Sequence, residues 1–228
     1  MSDYIQRIIA YLPSFISELL ALVSGPKRFI HRLDLEDKKN LTRALVYAAI
    51  AYIIATVLLP SDFKQVEVFD ANLLLQMGKY LVIILLMAIA LYTAWRLVGG
   101  KAPIHHFVII YCYYSGTQFL LIAIIIGTAL KTLQIENEAL YDRLVLLLNM
   151  PPSPEIQSEI ARLGTDPACQ QAKAIFAVGV VLILFWFVCF WGAYRELNGL
   201  SKGRSAIAFV LALLLMGVAG YIAGLLFI

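Results

Sequence analysis

Apolar residues along the chain gather into five long runs separated by shorter polar stretches. An α-helix rises about 1.5 Å per residue, so roughly 20 apolar residues cross a hydrocarbon core. The runs predict spans at about 41–59, 79–97, 107–130, 174–194 and 205–228. Pro60 ends the first, and Gly99 with Gly100 ends the second. The first contains Arg43, whose long stem can carry its charge to the interface. The last three are uncharged throughout.

Shorter patterns lie outside the spans. Between residues 3 and 24, Ile5, Ile8, Ile9, Leu12, Ile16, Leu19, Leu20 and Val23 recur at helical spacing, and Asp3, Arg7, Ser14 and Glu18 are polar. This predicts an amphipathic helix, lying on the membrane or packed on the bundle. Pro13 is expected to break it or start a second helix, and Gly25-Pro26 to end it. Residues 60–78 read as a short outer loop with Asp62, Glu67 and Asp70, and residues 131–173 as a larger one. Within the larger loop, Leu140, Leu144 and Leu147 share a face, which predicts a helix over 137–149, and 155–163 predicts another helical turn or two. The fold class is therefore all-α: a polytopic membrane protein of five transmembrane helices. Residues 1–40 form an amphipathic and basic segment, and residues 41–228 form the bundle. No internal repeat is evident, so the inverted-repeat signature of many transporters is missing.

Composition agrees with a membrane assignment. Of 228 residues 61% are hydrophobic and only 14% charged, against about 25% charged in a soluble domain. The net charge of +3 is mild. It does not imply nucleic acid, and anionic lipid headgroups suit the basic residues beside the spans better. Twelve of the 18 Lys and Arg residues fall on the side that holds the N-terminus, and six on the other. The positive-inside rule then puts the N-terminus in the cytoplasm and the C-terminus outside, in a cell inner membrane. Trp95, Trp191 and Tyr194 are expected in an interfacial aromatic belt. Cys112, Cys169 and Cys189 form no CxxC or Cys/His spacing. No cleavable signal peptide is read at the start, so the first span is expected to serve as the insertion signal.

Catalytic motifs are absent. The chain has no Walker A, GxGxxG, HExxH or Gly-x-Ser-x-Gly pattern, so no enzyme activity, cofactor or metal is expected. Four local features remain. Gly217, Gly220 and Gly224 share a face of the fifth span, where small residues let helix backbones approach. They predict packing within the bundle, with homo-oligomerisation as the alternative. Tyr111, Tyr114, Ser115 and Gln118 share a face of the third span and form either a polar cleft or a set of interhelical hydrogen bonds. His105 and His106 precede that span and raise a metal-binding or pH-sensing role, but adjacent helical residues point in different directions, which makes a poor pair of ligands, so interfacial histidines without special function are expected. Arg195 and Glu196, followed by Asn198, Ser201, Lys202 and Arg204, form a tight connection. It reads as a positive-inside anchor or as a docking surface at the rim of the cleft, for a protein partner or a bound lipid.

Gly25-Pro26 is followed by Phe29, Gly99-Gly100-Lys101 leads to Tyr114-Ser115, and Trp191-Gly192-Ala193-Tyr194-Arg195 runs into Leu200-Ser201-Lys202 and Ala206. With these motifs the chain resembles the Yip family, the Ypt-interacting-protein domain, in its bacterial branch. The resemblance covers about residues 15–228. Eukaryotic members are implied to act in vesicle trafficking and to contact Rab-type GTPases. The chain departs from them in having no long cytosolic N-terminal region and a larger outer loop. The family implies no catalytic residues. The expectation is a non-enzymatic membrane organiser or adaptor, and the rival is a small transporter or channel for a lipid or small solute.

Overall fold

The computed structural model describes residues 2–59, 71–151 and 153–227. Asp62, Glu67, Asp70 and Pro152 lie outside the described residues. The described residues form nine helices: α1 (Ser2–Ser24), α2 (Pro26–Arg32), α3 (Lys38–Leu58), α4 (Ala71–Leu97), α5 (Ile104–Glu136), α6 (Glu138–Leu148), α7 (Pro154–Leu163), α8 (Cys169–Asn198) and α9 (Lys202–Phe227). Five of these, α3, α4, α5, α8 and α9, are long and apolar enough to cross a membrane.

Each predicted span falls on one of the five, although the first runs one residue past α3 and Ile228 lies outside the described residues; elsewhere the helices overrun the apolar runs. α4 starts at Ala71 rather than 79, α5 continues to Glu136 and α8 begins at Cys169. Residues 71–78 are thus helix, not loop. Caps, not the edge of the apolar run, decide where a helix stops. Asn137 shows this: its backbone N–H donates to the Leu133 carbonyl, closing α5, while its side chain accepts from Leu140 N and opens α6. Ser153 caps α7 through Ile156 N, with Pro154 in the first turn where its missing N–H costs nothing.

α1 runs unbroken through Pro13, contrary to the expected break. A proline inside a helix costs about 3 kcal/mol. Phe15 and Leu22, both buried on the far side of it, each return about 1.5–3 kcal/mol. The helix therefore survives because it is packed. α1 ends at Ser24, just before Gly25-Pro26 as expected, and Gly25 then caps a further helix, α2, that Pro26 opens.

α5 lies at the centre, against α3, α4 and α8, while α9 packs on α4. Small residues let these helices close up. Ala44, Ala48, Ala51 and Ala55 of α3 are fully buried, and a Cβ on Gly116 of α5 would stand 3.2 Å from the Ala48 Cα. Gly179 of α8 leaves room for the Ile125 side chain. On α9 the packed row is Ser205, Ala208, Ala212 and Ala223, not the glycines. Gly220 meets Met87 of α4, but space is open where Gly217 and Gly224 would carry a Cβ. At 3.6 residues per turn those two glycines stand roughly 120° or more round the helix from Ala212. The outward faces of α8 and α9 are apolar, with Val181, Leu184, Phe185, Leu213 and Leu214 exposed, as a lipid-facing surface requires.

Candidate functional site

The third-span tyrosines meet an aromatic cluster. Tyr111 and Tyr114 are buried with ring centroids 5.8 Å apart, and Tyr114 lies 4.3 Å from the Phe190 ring and 5.5 Å from that of Phe187. A cavity of about 30 Å³ opens between them, lined also by Trp95 and Tyr194. A cavity of that size holds a water or two, not a solute. The Tyr114 hydroxyl and the Trp95 indole N–H are buried there and find no hydrogen-bond partner among the described residues. Ser115 and Gln118 are half-buried and do not line this cavity. The Ser115 hydroxyl donates within its own helix, to the Cys112 carbonyl at 3.4 Å.

Trp95 and Tyr194 are buried in the bundle. Their rings lie 6.0 Å apart, and Tyr194 stacks on Phe107 at 5.2 Å. Trp191 is half-buried, and its indole N–H donates to the Ser205 carbonyl at 3.2 Å, tying α8 to α9.

The two sequence-adjacent rim residues part company. The Arg195 guanidinium sits 5.6 Å above the Trp191 ring. Glu196 instead pairs with α2, 2.6 Å from Lys27 Nζ and 3.0 Å from His31 Nε2. Glu196 is therefore not at the tyrosine cavity. The α4–α5 and α8–α9 connections do come together, through Asn198. Its Oδ1 accepts from Ala102 N at 3.2 Å, and its amide donates to the Tyr194 carbonyl at 2.9 Å. Only glycine fits beside it: a Cβ on Gly100 would stand 2.7 Å from both Asn198 Oδ1 and the Trp95 carbonyl. Gly99, at φ +95°, supplies the left-handed turn that brings the chain there.

A larger space opens on the lipid side of the same region. A groove of about 550 Å³ runs between α8 and α9, lined by apolar side chains including Leu184, Trp191, Ala206 and Phe209. Trp191 and Phe209 line both this groove and the small cavity. The connection at this end carries Arg195, Lys202 and Arg204.

Two clusters were not read from the sequence as sites. Glu18 is buried at 8% exposure, turned into the bundle rather than toward water. It pairs with Arg43, accepts from the Tyr11 hydroxyl at 3.0 Å and from Tyr113 at 3.2 Å, and takes a longer bond from Ser14. Arg43 therefore turns to α1 rather than simply to the interface. Burial, with the adjacent Glu18 carboxylate, pushes the Tyr11 phenol up to about 12. The second cluster joins His105 and His106 to Glu36 of the α2–α3 connection. Their Nε2 atoms lie 3.6 and 3.1 Å from the two Glu36 oxygens. The histidines thus converge on a third residue, contrary to the expectation that they diverge.

Among known sequence families, the model described as the Yip1 domain matches residues 20–224. The match runs across residue 40, where the N-terminal segment was expected to give way to the bundle. No curated protein and no solved structure matches the chain.

Proposed function

The chain belongs to the Yip1-domain family, and from that premise we propose that it is a non-enzymatic membrane organiser or adaptor that works by holding a lipid in the α8–α9 groove. The groove carries this reading. Its volume of about 550 Å³ lies within the roughly 300–1,000 Å³ of ligand sites, and its apolar walls suit an acyl chain. The basic residues Arg195, Lys202 and Arg204 at one end suit an anionic headgroup. In this reading that end faces the cytoplasm of a bacterial cell and the membrane is the inner one. The support is the twelve-to-six bias of Lys and Arg. Transport of a solute draws no comparable support, because the cavity among α4, α5, α8 and α9 is only water-sized.

The test is purification in mild detergent with identification of bound lipids and proteins. Ala206 is exposed at the groove, so Ala206→Phe fills the groove without touching the core. The expected result is a stoichiometric anionic lipid on the native chain, lost in Ala206→Phe and weakened in Arg195→Ala, with helix content unchanged. Equal lipid on all three chains, or none on the native one, defeats the reading. A stoichiometric protein without lipid favours a protein adaptor instead.

A further inference from the structure

The structure assigns a divalent transition-metal site to Glu36, His105 and His106. The two histidines occupy the second and third positions of α5. Cα–Cβ bonds in a helix tilt toward its N-terminus, so first-turn side chains reach past the helix end. The two rings meet edge to face at 4.4 Å. Glu36 arrives from the α2–α3 connection with one carboxylate oxygen beside each ring.

The spacing fits a metal. One donor atom from each residue lies within 4.8 Å of the others. Ligands about 2.0–2.1 Å from zinc in a tetrahedron stand about 3.3 Å from one another. The two nitrogen–oxygen separations, 3.1 and 3.6 Å, run to different oxygens of the one carboxylate, so an ion held by a single Glu36 oxygen would draw the donors in from within 4.8 Å of one another. His105, whose side chain is 41% exposed, has room to rotate toward it. Two imidazoles and a carboxylate suit zinc, cobalt or nickel, whereas calcium and magnesium prefer all-oxygen shells. The Glu36 side chain is 75% exposed, which leaves a fourth position open to water. His106 is buried, so its ring is held in place by packing rather than by solvent.

The ion would act as a clamp. Glu36 precedes α3 and follows α2, whereas both histidines begin the central span. Binding therefore fastens the connection from the N-terminal segment to the bundle. Without an ion these are carboxylate–imidazole contacts to a Glu36 side chain that is 75% exposed, and such contacts contribute little. Glu36 at the N-terminus of α5 has a plain electrostatic account as well, since a carboxylate is favourable there. That account involves no cation uptake.

Cobalt(II) and zinc are the probes, added to the untagged full-length chain in detergent after stripping with chelator. The expected result is one Co²⁺ per chain, with visible absorption of tetrahedral strength that Zn²⁺ abolishes by displacement. Glu36→Gln and His105→Asn should each weaken binding about tenfold or more, since disturbing even an outer partner of a metal ligand costs 10–100-fold. Both positions are solvent-facing, so helix content serves as the folding control. His31, the remaining histidine, pairs with Glu196 elsewhere, and His31→Asn should leave affinity unchanged. Zn²⁺ should also raise the melting temperature of the native chain but not of the two ligand variants. Absence of saturable Co²⁺ uptake overturns the assignment. So does uptake that survives both ligand substitutions, or that falls equally in His31→Asn.

Discussion

Replacing Glu18 tests whether α1 is part of the bundle or merely rests on it. Glu18→Ala removes the acceptor for the buried Tyr113 hydroxyl and the partner of Arg43. A buried donor left unsatisfied costs about 1–3 kcal/mol. Breaking a fully buried ion pair costs about 3–5 kcal/mol, but that figure does not apply here. The Arg43 side chain is 49% exposed and can turn to water. Its lost pairing is worth nearer the roughly 0.2–1 kcal/mol of exposed pairs. The expected cost of Glu18→Ala is therefore about 1–4 kcal/mol. Both tyrosines donate to the same carboxylate oxygen, so Glu18→Gln keeps an acceptor for both and loses the charge that faces Arg43; it should cost about 1 kcal/mol. Reversible unfolding in mixed micelles gives both values, and a cycle with Arg43→Gln isolates the pair. A coupling of about 0.5–1 kcal/mol is expected. Ala and Gln variants of equal cost would show that the tyrosine bonds do not matter. An Ala variant within about 0.5 kcal/mol of the native chain, the ordinary scatter of independent sites, would refute the docking of α1.

Three further outcomes follow from other parts of the molecule. Gly100→Ala should cost about 1–3 kcal/mol in the same unfolding assay, because the added methyl meets the Trp95 carbonyl, which cannot retreat; an unchanged stability would mean that the two connections are not in contact. The neutral Tyr11 phenol is favoured in the folded chain, so its contribution is present below the ordinary value of 10.0 and is lost as pH climbs toward about 12. Part of that alkaline loss should vanish in Tyr11→Phe, and identical pH profiles would rule this out. A reporter fused after Ile228 should be active only outside the cytoplasm, and cytoplasmic activity would overturn the odd number of spans.

The spans were legible because bilayer thickness imposes a minimum apolar length, and that constraint is written in composition alone. Their ends were not, because hydrogen-bonding residues such as Asn137 set them rather than the last apolar side chain. At the candidate site, i, i+3 spacing correctly put Tyr111 beside Tyr114. It said nothing of Phe187 and Phe190, which α8 supplies from far along the chain. Arg195 and Glu196 were expected to act together because they are neighbours in sequence. Consecutive residues diverge by about 100° round a helix, so one turns to Trp191 and the other to α2. The same rule misled at His105 and His106, since rings in a first turn can bend to a common partner. Glu18 was read as one of the polar residues of an amphipathic helix, with no partner assigned to it. Periodicity finds the polar side of a helix, but not whether that side faces water or an arginine and a tyrosine on other helices.

Three carboxylates reveal how the N-terminal segment is held. Glu18 of α1 meets Arg43 of α3 and Tyr113 of α5, Glu36 of the α2–α3 connection meets the start of α5, and Glu196 of α8 meets Lys27 and His31 of α2. These polar ties occur at separate points along the segment, between buried apolar anchors such as Phe15, Leu22, Phe29 and Ile30. Apolar burial is nondirectional and would let α1 slide or roll on the bundle. The carboxylate contacts fix its register. They also settle which face of α1 points outward: with Glu18 turned in, Ile16, Leu20 and Val23 are left exposed. A stripe of that kind beside a bundle of spans has an apolar surface to meet in the bilayer boundary. The two expectations for α1, packing on the bundle and lying on lipid, are therefore not exclusive: one face packs on the bundle and leaves the other exposed and apolar.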